Sequence, residues 1–578
     1  MPVYVATGVA LLCIAAMFAI ILAFALPAFM KKGGGVFTWN WQPYQGEFGI
    51  LPMLAGSLLL SFSTLLLAWP LSLAFCCWIL DRKPGLLRGL AQWLLRFMAA
   101  IPTVVYGFAA VFLLTPLIRS GLGGSGMCWL GVALVLTLLI LPTMTLILEA
   151  GLKPRLEGLC PGGLALGFTR LELLWFFILP LSRKTLAAAA LLGFGRAIGD
   201  TLLPLMLAGN APQIPGGLLE SMRTLTAHMA LVTSNEVGGS AYNSLFMAGA
   251  LLLAINAAVS LAARRMEKNF GENPTAHSGG RWPDLVRPIM FLLMREGARF
   301  AVLLVFLCIA ALVGFLLIKG APVFGFKLLF GSTPPMDAIF GARPVWDGVW
   351  PALAGTLCIM ALTICIALFP GIGCGIFLAA YAGPRWRRIV GSAVDMLAGT
   401  PSIVMGLFGF TLILFLRRTF FPNANTCLLL AACCLAILVL PVLIVSTREA
   451  LEAVPGRLGL TASSLGMSRE QYLRHVALPS ASRGIWSGVV LAVGRSAEDT
   501  AVIMLTGVVA NAGLPAGITA KFEALPFAIY YITAQYQTRE ELMLGFGAAL
   551  LLLIMTSGVV LAARGIETGY HRRWTGKY

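Results

Sequence analysis

Long apolar runs with almost no charge constrain this chain more than any other feature of its sequence. Of its 578 residues, 59% are hydrophobic and only 11% are charged, whereas soluble domains carry about 25% charged residues. A helix that spans a bilayer needs roughly 20 apolar residues, and the ten-residue alternation of a membrane β-barrel does not recur. The sequence therefore predicts a polytopic all-α membrane protein and argues against a soluble enzyme.

The basic residues between the apolar runs predict the orientation. If both termini are cytoplasmic, 27 Lys and Arg residues fall in inner loops and 11 fall in outer segments. This asymmetry follows the positive-inside rule and accounts for the net charge of +17 without a nucleic-acid partner. The runs predict twelve spans, near 3–30, 51–80, 90–118, 128–148, 186–208, 241–263, 300–318, 351–380, 396–416, 427–447, 485–508 and 541–563.

One polar segment is long enough to join two domains. Residues 264–299 contain Gly, Pro and clustered charges, which are typical of a linker. The sequence therefore predicts a first domain over 1–263, a cytoplasmic linker over 264–299 and a second domain over 300–578, with six spans in each domain.

The two halves repeat at an offset of 299 residues. Each half crosses the membrane an even number of times, so the repeat is parallel, with a pseudo-two-fold axis along the membrane normal. We expect a translocation path on that axis, and the alternative is a duplicated bundle that transports nothing. The matched landmarks include Pro102 and Pro401, Pro142 and Pro441, Gly167 and Gly466, Pro180 and Pro479, Arg196 and Arg495, Asp200 and Asp499, and Thr201 and Thr500.

A long predicted cytoplasmic loop follows the fourth span of each half. In both copies a glycine precedes a Leu-Pro pair, and polar and apolar residues alternate at helical spacing on either side of the glycine. The pattern predicts two short amphipathic helices joined at that glycine, a form suited to docking in a groove of a soluble partner. A helix lying on lipid is the alternative. The residues concerned are Gly167, Leu179 and Pro180, and Gly466, Leu478 and Pro479.

Charged residues also occur inside two predicted spans. An ionisable side chain at the bilayer centre costs roughly 2.5–3.5 kcal/mol on insertion scales, so these residues need a reason to be there. Their i,i+4 spacing predicts that each Arg and its Asp share one helix face. They either form ion pairs that fix packing or line an anion path, together with the adjacent threonines. The candidate path residues are Arg196, Asp200, Thr201, Arg495, Glu498, Asp499 and Thr500.

An anion path that contains both arginines and carboxylates favours an anion that still carries a proton. The guanidinium fork suits phosphate oxygens, and Arg196 and Arg495 would offset the charge of the anion. A carboxylate at Asp200 or Asp499 would accept the proton of phosphate, and it would repel a fully ionised oxyanion such as sulfate.

The cytoplasmic loops resemble the EAA motif of ABC-importer permeases, in which a Gly precedes a hydrophobic-x-Leu-Pro sequence. The resemblance implies that Gly167, Leu179 and Pro180, with their second-half copies, belong to coupling helices that contact an ATP-binding subunit. The Glu-Ala-Ala itself is absent, because the copies read Pro161-Gly162-Gly163 and Leu460-Thr461-Ala462. Because these glutamates are missing, we expect no salt bridge from this position to the ATPase, and docking by shape is what the resemblance still allows.

Several segments are similar to the two permeases of the phosphate-specific (Pst-type) ABC importer. They include Gly195 to Asn210 and Arg223 to His228 in the first half, and Ala398 to Gly409 and Leu525 to Tyr531 in the second. The resemblance implies two fused six-helix type I importer permease domains in the cytoplasmic (inner) membrane of a prokaryote. It also implies that phosphate is the substrate. The implied partners are a periplasmic or lipoprotein phosphate-binding protein and two copies of an ATP-binding cassette ATPase.

The sequence contains no catalytic motif, and no P-loop that could hold ATP phosphates. We therefore expect no enzyme and no cofactor in this chain, with ATP bound by partner subunits. His228 and His475 are isolated and the cysteines lie in apolar runs, so we expect no metal site. Three alternatives stay open: an ABC permease for tungstate, molybdate or sulfate, an ion-coupled secondary transporter, and a membrane scaffold or sensor.

Overall fold

The computed structural model describes residues 2–32, 37–82, 85–235, 240–269 and 286–575. Within these ranges, eleven helices are long and apolar enough to cross a membrane, and there are twelve spans if one bent pair forms a single span. The prediction of a polytopic all-α protein is confirmed. Residues 270–285 of the predicted linker lie outside the described residues.

The first half contains eleven helices and a two-stranded hairpin in the described ranges. The hairpin pairs Trp41 with Phe48. The elements are α1 (Pro2–Lys32), β1 (Trp41–Gln42), β2 (Glu47–Phe48), α2 (Leu51–Asp81), α3 (Leu86–Ala100), α4 (Thr103–Gly121), α5 (Trp129–Ala165), α6 (Arg170–Leu173), α7 (Leu179–Leu181), α8 (Arg183–Gly199), α9 (Leu202–Leu207), α10 (Leu225–Asn235) and α11 (Ser240–Asn269).

The second half follows this order with two additional short helices near its start and with two other differences. Its elements are α12 (Val286–Gly320), α13 (Phe326–Phe330), α14 (Pro335–Ile339), α15 (Trp350–Ile376), α16 (Pro384–Ala398), α17 (Ser402–Thr419), α18 (Leu428–Glu452), α19 (Gly456–Ser464), α20 (Arg469–Tyr472), α21 (Leu478–Glu498), α22 (Ala501–Thr506), α23 (Leu525–Gln535) and α24 (Arg539–Thr575). Two helices, α18 and α19, are in the place of α5, and α21 covers the positions of both α7 and α8. Short 3-10 helices occur over Pro43–Gln45 and Ala321–Val323.

The helices form two compact units that do not follow the chain order strictly. One unit, the first-half unit, contains Ile50–His228 and Ala254–Ile318. The other, the second-half unit, contains Met1–Gly49, Met229–Leu253 and Lys319–Tyr578. The division into domains at residues 264–299 stays a prediction. The composition of the units shows in addition that the first helix of each half packs with helices of the other half.

Helix α1 shows this packing directly. The Tyr4 ring lies 5.5 Å from the ring of Phe377 and 6.0 Å from that of Tyr381. Gly373 of α15 lies so close to Ala6 that a side chain at this glycine would clash with it. Small residues at such a contact let two helix backbones approach closely in an apolar environment.

The fifth span differs between the halves. In the first half, Arg170–Leu181 and Arg183–Gly199 meet at an angle of 78°, whereas in the second half Arg469–Glu498 is one continuous helical segment. The bend lies at Ser182, whose hydroxyl accepts a 2.7 Å hydrogen bond from Nη1 of Arg155. At the offset of 299 the corresponding residues are alanine and valine, which cannot form this hydrogen bond.

A hydroxyl from α2 in the first half, and one from α15 in the second half, pairs with the backbone where a later helix begins. Ser57 Oγ of α2 accepts a 2.7 Å hydrogen bond from the N–H of Leu225, the first residue of α10. Thr356 Oγ1 of α15 accepts one of 2.8 Å from the N–H of Leu525, the first residue of α23. All four residues are buried, so these N–H groups have no access to bulk water.

We expect Ser57→Ala to destabilise the protein, because it leaves the buried N–H of Leu225 unpaired, at a cost of about 1–3 kcal/mol. Ser57→Thr should unfold close to the wild type, since the second half uses a threonine at this position. The measurement is thermal unfolding of the detergent-purified chain. An alanine variant as stable as the threonine variant would contradict the assigned role of this hydrogen bond.

Candidate functional site

Each predicted charged segment contains a break in its helix. In the first half α8 ends at Gly199 and α9 begins at Leu202. In the second half α21 ends at Glu498 and α22 begins at Ala501. The prediction of continuous spans through these segments is wrong. The predicted sharing of one helix face by each Arg and Asp is wrong for the same reason.

An aspartate occupies each break. Asp200 and Asp499 have extended backbones, with ψ of 134° and 110°. The Asp200 carboxylate accepts a 3.0 Å hydrogen bond from the N–H of Leu203, and the Asp499 carboxylate one of 2.9 Å from that of Val502. Aspartate side chains compete in this way with the helical backbone, and their negative charge suits a helix N-terminus. Both aspartates therefore stabilise the start of the next helix.

The threonine after each aspartate is buried. Thr201 is 2% exposed and Thr500 is 1% exposed. Within the described residues, neither hydroxyl has a hydrogen-bond partner. An unpaired buried hydroxyl costs stability, so its presence at the same position of both halves is unexpected for a purely structural segment.

The arginines differ between the halves. Arg196 is exposed, and its Nη1 lies 3.2 Å from the hydroxyl oxygen of Thr143. Arg495 is half-buried, and its charge interacts with Asp499. Glu498 is also half-buried and corresponds to Gly199 in the first half. The second segment therefore holds one carboxylate more than the first.

A return loop follows each short helix and packs against the start of a long one. The N–H of Trp129 donates to the carbonyl of Glu220 at 3.0 Å, and the N–H of Leu428 donates to that of Ala520 at 3.0 Å. The first residues of these pairs are 299 apart, whereas the second are 300 apart. The second-half loop is therefore one residue longer, and this insertion changes which residues correspond.

The insertion aligns Arg223 with Glu523, a correspondence that the constant offset of the sequence repeat missed. Each side chain binds its own loop: Nε of Arg223 donates to the carbonyl of Asn210 at 2.7 Å, and Glu523 Oε1 accepts from the N–H of Gly513 at 2.8 Å. Burial raises the pKa of Glu523 and lowers that of Arg223. Burial also lowers the pKa of His228 to about 3, which leaves this histidine neutral at pH 7.

The two predicted coupling loops share a left-handed glycine turn. Gly167 has φ of 85° and Gly466 has φ of 74°, a conformation that other residues rarely adopt. A capping box begins the next helix two residues later, from Thr169 in the first half and from Ser468 in the second. This combination confirms a helix, a glycine turn and a second helix. In the first half the first of these helices is the end of α5.

The Leu-Pro pairs follow a wider helical turn in both halves. π-Helical turns occur over Leu174–Ile178 and Leu473–Ala477, directly before Leu179-Pro180 and Leu478-Pro479. A proline inside a helix interrupts the regular hydrogen-bond ladder, and π turns accommodate such interruptions. Both Leu-Pro pairs therefore follow a π-helical turn, which the spacing of the residues alone could not predict.

Apolar side chains project from both coupling loops. Leu166 and Leu465, which directly precede the glycines, are 79% and 73% exposed. At the altered Glu-Ala-Ala positions, the last residues, Gly163 and Ala462, are buried, and a side chain at Gly163 would clash with Leu173. We call the exposed apolar residues the coupling surface: Leu159, Leu164 and Leu166 in the first half, and Leu458, Leu460, Leu465 and Met467 in the second.

Metal ligands do not cluster in the described part of the chain. No group of three His, Cys, Asp or Glu residues there could hold a metal ion. The cysteines of the described ranges are unpaired thiols.

The chain is similar to known transport permeases. Its sequence is 30% identical over 261 residues to the probable ABC transporter permease protein YqgH of Bacillus subtilis, covering 43% of this chain and 84% of that protein. It is 26% identical to the phosphate transport system permease protein PstC of Pasteurella multocida (41% of this chain, 82% of that protein). It is 30% identical to the permease PstA of Xylella fastidiosa (45% of this chain, 88% of that protein).

A family model for the inner membrane component of binding-protein-dependent transport systems matches the chain twice, over residues 75–271 and 371–574. The two matches together cover more than half of the chain. Each contains one coupling loop and one helix break with its aspartate. The chain belongs to this family of multi-pass inner-membrane permease subunits, and it carries the family's domain in two copies.

Proposed function

We propose that this chain is the permease of an ATP-driven phosphate importer, with two permeases fused into one polypeptide. The observation that carries this proposal is the duplicated family domain, together with the relatives named as phosphate transport permeases. A binding protein would deliver phosphate, and separate ATPase subunits would supply energy. Both termini would be cytoplasmic, as the basic residues predict.

The helix breaks support a role in the phosphate path. In each half a broken helix brings an arginine, an aspartate and a buried threonine hydroxyl into one short segment. Broken helices form substrate sites in many transporters, because their ends offer polar groups inside an apolar structure. We propose that Arg196 and Arg495 offset the charge of phosphate, and that Thr201, Thr500 and Glu498 contribute polar contacts.

The coupling surface supports docking of ATPase subunits. Its leucines are exposed on a helix–turn–helix whose shape is fixed by a left-handed glycine and a capping box. Exposed apolar clusters of this kind mark protein interaction sites. One such surface in each half suits two copies of the ATPase.

Reconstitution of the chain in proteoliposomes, with a phosphate-binding protein and ATP-binding cassette ATPase subunits from the same organism, tests the proposed function. We expect phosphate uptake that requires ATP and persists in the presence of an uncoupler. Unlabelled phosphate should compete with labelled phosphate better than sulfate, molybdate or tungstate does. Uptake without ATPase that an uncoupler abolishes would contradict the proposal, as would stronger competition by another oxyanion.

The aspartates are expected to set the preference for phosphate over sulfate. Asp200→Asn and Asp499→Asn keep an oxygen that accepts the hydrogen bond of the next helix, so the fold should survive, but they remove the negative charge. We expect discrimination against sulfate to fall by about 10-fold, which corresponds to about 1.4 kcal/mol. Competition in the uptake assay measures this ratio. Unchanged selectivity in both variants would assign the aspartates to helix capping alone.

The coupling surface is expected to be necessary for activity. Leu166→Asp and Leu465→Asp place a charge on an exposed apolar contact, so they should abolish substrate-stimulated ATP hydrolysis while leaving the isolated chain folded. Leu122→Asp, at a leucine that is 60% exposed outside the coupling loops, is the matched control and should remain active. Normal ATP hydrolysis in both loop variants would refute docking at this surface.

A further inference from the structure

A cluster of arginines lies at the start of α16. Arg385, Arg387 and Arg388 are all exposed in the first turns of this helix. Arg387 and Arg388 line a cavity of about 460 Å³ together with Ala382 and Pro384. This volume lies in the usual range of about 300–1,000 Å³ for small-molecule pockets, so the cavity can hold a group as large as a lipid headgroup.

The charge of the cluster is only partly neutralised. Arg387 lies 3.8 Å from the carboxylate of Glu452, which is shared with Arg448 at 3.9 Å. Within the described residues, Arg385 and Arg388 have neither an ion pair nor a hydrogen bond. Arg388 therefore offers a guanidinium without an ion pair to an anion in the cavity, and Arg385 lies three residues before it on α16.

Apolar side chains stand beside the arginines. Trp386 and Ile389 are 55% and 57% exposed, and their spacing of three residues puts them on one face of α16. Val390 and Val394 are buried and occupy another face. A helix that exposes Trp and Ile between arginines is typical of the lipid–water interface, and α16 directly follows the apolar helical segment Trp350–Tyr381.

We propose that the arginine cluster of α16 is a binding site for the headgroup of an anionic phospholipid. Arg385 and Arg388 would bind the phosphate oxygens, which the planar guanidinium can contact in pairs. Trp386 and Ile389 would contact the glycerol and the first acyl carbons. A free phosphate ion would bind the arginines but leave both apolar side chains in water, so the combination of groups fits a lipid better.

The site belongs to the second half and lies beside its coupling loop. Arg387 contacts Glu452 at the end of α18, and the guanidinium of Arg469, in the coupling loop, lies 5.3 Å from the centre of the Tyr381 ring. In the first half, the residues that correspond to the three arginines are Leu86, Arg88 and Gly89. Lipid bound at α16 would therefore lie beside the coupling loop of the second half.

Titration of the purified full-length chain with phosphatidylglycerol, followed by native mass spectrometry, tests the site. The variant combining Arg385→Gln and Arg388→Gln should bind this lipid about 25-fold more weakly, at about 5-fold per arginine near a membrane surface. The control combines Arg82→Gln and Arg88→Gln, which removes two charges at the equivalent end of the first half and should leave the affinity unchanged. Replacing Arg385 and Arg388 by lysine should retain most of the affinity and shows that the segment still folds.

Three results would overturn the proposal. One is an equal loss of affinity in the control and in the α16 variant, which would mean that any basic surface binds the lipid. Another is equal binding of phosphatidylcholine and phosphatidylglycerol to the wild type. The third is displacement of the lipid by millimolar inorganic phosphate but not by chloride of equal ionic strength, which would assign the cavity to free phosphate.

Discussion

A backbone N–H or carbonyl that is removed from water must find another partner, and side chains meet this requirement at both helix breaks and where α10 and α23 begin. In a membrane protein such unpaired groups cost several kcal/mol each. The carboxylates of Asp200 and Asp499 meet the requirement at the two helix breaks. The hydroxyls of Ser57 and Thr356 meet it where α10 and α23 begin. Irregular backbone can therefore occur inside the apolar structure without leaving its polar groups unpaired.

The two halves are more alike in backbone structure than in the charges of their side chains. Both halves have a broken charged helix, a return loop, a left-handed glycine and a π turn before Leu-Pro. At the same structural position, however, one return loop contains Arg223 and the other Glu523, and only the first half bends at Ser182. Equivalent backbones with different charges allow the halves to contribute unequally to a transport cycle.

The coupling surface and the arginine cluster of α16 suggest how a difference between the halves would affect the proposed contact with the ATPase. Exposed leucines form a similar surface in both halves, which we propose as the docking surface, since Leu166 and Leu465 differ little in exposure. The arginines beside the second coupling loop have no full counterpart in the first. A lipid held there would act on one docking surface, which makes the membrane composition a factor in coupling.

The sequence by itself determined the fold class, the repeat, the coupling loops and the charged segments. These follow from long apolar runs, from residues matched at a constant offset, and from glycine and proline at fixed spacing, all of which are local properties. Asp200 and Asp499 could have indicated the helix breaks, since Asp-Thr before an apolar run is a helix-start signal. Both aspartates lie within longer apolar runs, however, and these runs predict one uninterrupted span through each Asp-Thr pair. Only the tertiary structure decided that α1 packs with the second half, that Arg223 corresponds to Glu523, and that Arg155 binds Ser182 at a bend. These depend on contacts between residues distant in sequence, whose partners are set by three-dimensional packing and not by the local pattern.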